Sequence, residues 1–272
     1  MSDTAWWTKN WNVVDGCSHV SPACNSCYAE MMSRRFWRHR HEQGDTHYTY
    51  SVQGGGTETN PVLMPRHFGI VRFHADRLEQ PLHWRDPQRV FTPSMGDLFH
   101  PDVDEMDLRR VYGVMLTATK HRFLVLTKRP LHAKAFYRRF PSFGRLPNVW
   151  LGVTVEDQRH VRRLDTLRRI DVAHRWASFE PLLEPVVLER KQLDSLEWAV
   201  VGGETGAKAR LTKPGWLFSL TDQLWAHGLP VWFKQWGHAL ERVADPSDLE
   251  VRDLCCGIAD TRGLPSELDV LA

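Results

Sequence analysis

Seven short apolar runs constrain this chain more than any other feature: Gly69–Phe73, Arg89–Thr92, Phe123–Leu126, Val149–Val153, Arg175–Phe179, Trp198–Val201 and Val231–Phe233. They are rich in β-branched and aromatic residues and nearly continuous in hydrophobicity, as strands buried on both faces of a parallel sheet must be. The segments between them carry helical spacing. Val103, Met106, Val111, Val114, Met115 and Ala118 would line one helix face. Val161, Leu164 and Leu167 would line a second, with Arg162, Arg163, Arg168 and Arg169 outward, and Leu217, Leu220 and Leu224 a third. A repeat of roughly 23–33 residues from strand to strand is that of βα units. With a first strand near Trp11–Val14 the pattern predicts about eight strands, enough for a complete or partly open (β/α) barrel. The fold class is therefore α/β, a partial or full TIM-type barrel.

The ends of these runs are as regular as the runs themselves. They close in Ser94-Met95-Gly96-Asp97, Thr127-Lys128-Arg129, Thr154-Val155-Glu156, Ser178-Phe179-Glu180, Gly202-Gly203-Glu204 and Lys234-Gln235. A single polar strand end can be a helix cap or half of a surface ion pair. Six in succession fall on one rim of a barrel, the C-terminal face, where βα loops build active sites.

A cysteine loop follows the first expected strand. Cys17, Cys24 and Cys27 are spaced C-x6-C-x2-C, and a helix is expected from about Asn25. Three thiolates this close can hold one iron–sulfur cluster, or one zinc ion with His19 as fourth ligand. A cluster on three cysteines leaves one iron without a protein ligand, open to the amino and carboxylate groups of S-adenosylmethionine (SAM). Spacing alone leaves both choices open. Cys255 and Cys256 are adjacent, too constrained to share a metal easily, and are read as non-functional. The Gly202–Gly206 stretch lacks dinucleotide and Walker spacing.

Charge is unevenly distributed although the net charge is only +2. Residues 31–41 carry four arginines and two histidines with no acid. Arg34, Arg35 and Arg38 are candidates for a phosphate backbone; the alternative is a solvated helix face. Residues 42–67 read as an irregular insertion, and residues 238–272 as an acidic C-terminal extension to a barrel domain of residues 1–237. No run approaches a membrane span and no signal-peptide pattern is present, so a cytoplasmic, membrane-free protein is expected.

Seven blocks, in order, carry a resemblance: WNVVDGCSHVSPACNSCYAE, SMGDLFH, FLVLTKRP, VWLGVTVED, SFEPLL, VVGGETG and FKQWG. Together they resemble a phage-associated three-cysteine-motif family distantly related to radical SAM enzymes, over about Trp11 to Gly237. The resemblance implies a barrel of the radical SAM kind, a 4Fe–4S cluster on Cys17, Cys24 and Cys27, and SAM as cofactor. It favours the cluster over zinc. It further implies hypermodification of thymine in phage DNA, with isomerisation of N-linked to C-linked glycyl-thymine as the specific reaction, and an electron donor such as flavodoxin or ferredoxin. On that reading Lys128 or Arg129 neutralises the SAM carboxylate. Ser94, Asp97, Glu180 and Glu204 complete the cofactor contacts, and Glu156, Lys234 and Gln235 face the substrate. The loop departs from the commonest radical SAM signature, which has three residues between its first two cysteines, whereas this one has six. Two readings from other classes stand beside it: a zinc-stabilised nucleic-acid-binding protein without catalysis, and a radical SAM enzyme acting on a small molecule or peptide.

Overall fold

The structure is a computed structural model that describes residues 6–42, 49–57, 60–65, 68–243 and 263–268, with the backbone alone described within 36–65 and for 241–243. Its strands are β1 (Lys9–Asn10), β2 (Val14–Asp15), β3 (Thr49–Thr57), β4 (Asn60–Pro65), β5 (Arg72–Phe73), β6 (Arg89–Thr92), β7 (Arg122–Thr127), β8 (Val149–Thr154), β9 (His174–Phe179), β10 (Trp198–Gly202) and β11 (Val231–Gln235). The helices are α1 (Tyr28–Glu42), α2 (Gln80–His83), α3 (Glu105–Thr117), α4 (Pro130–Arg139), α5 (Pro141–Gly144), α6 (Arg162–Leu167), α7 (Arg190–Leu193), α8 (Pro214–Ala226) and α9 (His238–Val243). Seven strands form one sheet in the order β1-β6-β7-β8-β9-β10-β11, parallel at every pairing. The sheet curls into a half-barrel, a partial (β/α) barrel.

Strand alternation divides the core in two. Val125, Leu151, Val153, Ala177, Phe179, Val201 and Phe233 face outward into a large cluster with the buried sides of α3, α4, α6 and α8. The concave face carries Phe91, Leu124, Trp150, Trp176, Trp198, Val200 and Trp232, packed with Trp6 and Leu268. Tryptophans thus fill the lower half of the barrel interior. Gly152 lies opposite Trp176 in the register of β8 and β9, and a Cβ there would stand 2.3 Å from the Trp176 ring. The glycine makes room for the indole, which donates to the Trp150 carbonyl at 3.2 Å. Residues 263–268, inside the expected C-terminal extension, close the floor. Gly263 donates to the Val231 carbonyl at 2.9 Å and accepts from Trp198 Nε1 at 3.0 Å.

Several expectations need correction. The first strand of the sheet is β1, immediately before Trp11–Val14, while β2, which takes in Val14, pairs antiparallel with β5 in a separate ribbon. Gly69–Phe73 therefore adds no strand to the sheet, and the count is seven rather than eight. In the 42–67 span, expected to be irregular, β3 and β4 pair as an antiparallel hairpin. Met106 is 56% exposed, because it sits beside the N-cap Asp104 while Leu108 and Tyr112 take the buried face of α3. Arg163 does not point outward with its neighbours but is buried at 6% exposure. Val161, Leu164, Leu167, Leu217, Leu220 and Leu224 are all buried, as their spacing predicts.

One core histidine makes stability depend on pH. His121 is fully buried; its Nδ1 accepts from the Gln88 amide at 3.1 Å and its Nε2 faces the Pro81 carbonyl at 2.9 Å, so the ring is neutral. Burial pushes its pKa below the ordinary histidine value, against the Pro81 hydrogen bond. The unfolded chain then takes up the proton first as pH falls below about 6.5, and stability declines by up to about 1.4 kcal/mol per pH unit until the folded value is reached. Denaturant unfolding at pH 7.5 and 5.5 should show this loss in the wild type and a smaller one in His121→Gln.

Candidate active site at the cysteine loop

The cysteine loop leaves β2 through Gly16, whose φ of +85° and close approach exclude a side chain; a Cβ would meet the Ile70 carbonyl oxygen at 2.3 Å. Backbone bonds from Gly16 to the Met95 carbonyl (2.9 Å) and from Cys17 to the Phe68 carbonyl (3.0 Å) pin this entry beside the end of β6. Residues Pro22–Ser26 make a 3₁₀ turn in which Cys24 donates to the Ser21 carbonyl and Cys27 to the Cys24 carbonyl. Helix α1 begins immediately after Cys27. All three thiols are free, Cys24 buried and the other two half-buried.

Two arginines clamp the loop to strand-end carboxylates. Arg129, after β7, donates through Nη2 to the Ser18 carbonyl and hydroxyl, both at 2.8 Å. Its Nη1 lies 3.2 Å from Cys17 Sγ and 3.3 Å from Asp97 Oδ2. Asp97, after β6, also accepts from the Thr127 hydroxyl and the Phe99 and Lys128 amides. On the other side Arg210 donates to the Pro22 carbonyl at 3.0 Å and grips Glu204, after β10, through Nε at 2.8 Å and through Nη2. His100 completes the first clamp: its Nδ1 accepts from the Asp102 amide, leaving Nε2 to donate to Ser18 Oγ at 2.7 Å. Burial, helped by Arg129, holds the His100 pKa down, consistent with a neutral ring. Burial and the Asp97 charge push the Cys17 thiol up, against the pull of Arg129.

Beneath the loop, period-2 alternation from Leu124, Trp150, Trp176 and Trp232 carries Lys128, Glu156, Glu180 and Lys234 to the concave face. Glu180 Oε1 accepts from Lys234 Nζ at 2.6 Å and Gln235 Nε2 at 2.7 Å, and Lys234 lies over the Trp7 ring at 5.6 Å. Tyr28 donates to the Ser94 carbonyl from the start of α1. Burial of its hydroxyl, with Cys27 and Glu180 close by, pushes its pKa well up. Ser94 is itself held by Asn12, whose Oδ1 accepts from its amide and hydroxyl. Glu156 is fully buried, paired at 2.6 Å with Arg163 through Oε2, while Oε1 has no partner. The half-buried Lys128 ammonium has no ion-pair partner among the described residues.

The structure brings Ser94, Asp97, Lys128, Arg129, Glu180, Glu204, Lys234 and Gln235 to the ends of neighbouring strands, but not in equal states. Asp97, Arg129 and Glu204 are committed to holding the loop; Glu180, Lys234 and Gln235 form one polar group; Lys128 stands free to take an anion. Glu156 is turned to Arg163. Arg34 and Arg35 are exposed on α1, and Arg34 pairs with Glu30 at 2.7 Å, an acid one residue before the basic stretch. The Arg38 side chain, Cys255 and Cys256 lie outside the described residues. Sequence reasoning missed Arg210, Arg163 and Tyr28. Arg210 had no signal beyond its place in a loop after Glu204, whereas the position of Tyr28 directly after Cys27 could have marked it.

The donor set fits an iron–sulfur cluster: three unpaired thiols on one loop, with a cation already bonded to one sulfur. Among the described residues no three Cys, His, Asp or Glu side chains converge as ligands of a single ion would. His19, the fourth ligand a zinc site would need, is half exposed and bonded to Glu30 at 3.0 Å.

Fold and site together define a partial (β/α) barrel with a cysteine loop clamped over its C-terminal mouth, a fold that fits a radical SAM-like domain. The chain belongs to the family described as protein of unknown function (DUF5131), which matches residues 1–253. No curated protein and no solved structure matches it. Among the described residues no helix is long and apolar enough to cross a membrane.

Proposed function

We propose that this protein is a radical SAM enzyme that modifies a nucleic-acid base, isomerising N-linked to C-linked glycyl-thymine in DNA. The observation that carries the first half is the pair of arginine–carboxylate clamps, which hold a three-thiol loop over the polar concave face of a half-barrel. Cys17, Cys24 and Cys27 would hold a 4Fe–4S cluster, which with SAM supplies the 5′-deoxyadenosyl radical and leaves the protein to bind, orient and exclude water. Lys128, whose ammonium has no ion-pair partner among the described residues, suits the carboxylate of a bound amino acid moiety, and Tyr28, at the start of α1, is bonded to Ser94. Glu180, with Lys234 and Gln235, presents a neutralised polar edge for the substrate. An isomerisation needs little acid–base help, so these groups position rather than transfer protons.

The DNA half rests on the family resemblance and on the exposed Arg34 and Arg35 beside the loop, suited to a phosphate backbone. A base inside a duplex cannot reach this mouth, so the target must be flipped or single-stranded. An external electron donor of the flavodoxin or ferredoxin class is required. The test is an oligonucleotide carrying N-linked glycyl-thymine, incubated anaerobically with protein, SAM and reductant. The expected product has unchanged mass and altered retention, the hydrogen atom abstracted from the substrate being returned after the rearrangement. A changed mass would replace isomerisation with another radical reaction, and turnover of a free nucleoside as fast as the oligonucleotide would remove DNA as the substrate.

A further inference from the structure

We infer that Arg129 is a positioning residue that raises the reduction potential of the group bound by Cys17, through the hydrogen bond its guanidinium donates to the Cys17 sulfur. The inference rests on the cluster reading above and adds to it a device for tuning.

Arg129 is held from every side. Its amide donates to Thr127 Oγ1 at 2.8 Å, Nη2 makes two bonds to Ser18, and Nη1 is shared between Cys17 Sγ and Asp97 Oδ2. The side chain is 7% exposed, so water screens it little. A cationic donor fixed on a thiolate sulfur draws negative charge from it and favours the more negative, reduced state of the attached cluster. Cys24 is treated differently: its Sγ lies 3.6 Å from the neutral Ser21 hydroxyl. Arg210 provides an internal comparison. It anchors the same loop with a similar carboxylate clamp, but its reach ends on the Pro22 carbonyl rather than on a sulfur. Loop anchoring and sulfur bonding are thus separable in this protein.

The experiment is an anaerobic redox titration of reconstituted protein, following the reduced cluster by electron paramagnetic resonance. Arg129→Gln should shift the reduction equilibrium at least tenfold toward the oxidised form, about 59 mV more negative for one electron. Arg129→Lys, which keeps the charge and loses the fork, should shift it less in the same direction, and Arg210→Gln should leave it in place. If Arg129→Gln does not retain the cluster, Arg129→Lys decides: a shift toward the oxidised form larger than that of Arg210→Gln supports the inference, and none overturns it. An unchanged potential in the Arg129 variants, or an equal shift in Arg210→Gln, would overturn the inference. A wild-type protein that takes up no iron would overturn the cofactor reading instead.

Discussion

Cys24→Ala is expected to abolish SAM cleavage altogether. The variant should emerge from anaerobic reconstitution without a cluster, because two thiolates on a short loop cannot replace three. The fold should survive the change. Cys24 is a small buried side chain in a 3₁₀ turn whose backbone bonds do not involve its sulfur. Thermal unfolding within a few degrees of wild-type apoprotein, with no 5′-deoxyadenosine formed under reducing conditions, is the combined result to look for. Full cleavage activity in this variant would remove the cysteine loop from the chemistry.

Asp97→Ala should have the opposite profile, a large loss of stability. The Asp97 carboxylate accepts from Thr127, Phe99, Lys128 and Arg129 while only 4% exposed. Its removal leaves Arg129 as a buried cation without its counter-ion, at a cost of about 3–5 kcal/mol. The Arg139–Glu105 pair, with side chains 70% and 42% exposed, supplies the contrast: Arg139→Ala should cost at most about 1 kcal/mol. Urea unfolding of both variants checks the difference. Similar values for the two would mean that the clamp on the cysteine loop is not a structural requirement.

Much of this architecture was legible in the sequence because parallel strands covered on both faces cannot hide their composition. β6 to β11 coincide with apolar runs, and the polar residue that ends each run lies at the mouth. The misreadings share a physical cause. β1 is only two residues long, and both are polar and exposed, so nothing in its composition marks it as a strand. β5 is equally short and pairs outside the sheet. The site was legible as a set of positions but not as a set of partners. Asp97 and Arg129 read as ligands for a cofactor, yet each is consumed by the loop, and that exchange depends on contacts between residues 32 apart in sequence. Arg163 read as a solvent-facing member of an arginine run because helical spacing shows which face is apolar, not which cation a buried glutamate will draw inward. Spacing also left zinc and cluster equally open, because it does not show where a thiolate or an imidazole points.

The most direct test of the account is the metal content of anaerobically purified wild-type protein beside Cys17→Ala. The account predicts a brown wild type with about four irons and four sulfides per chain, and a Cys17→Ala protein with neither. A colourless wild type carrying one zinc per chain would contradict it and make the loop a structural metal site.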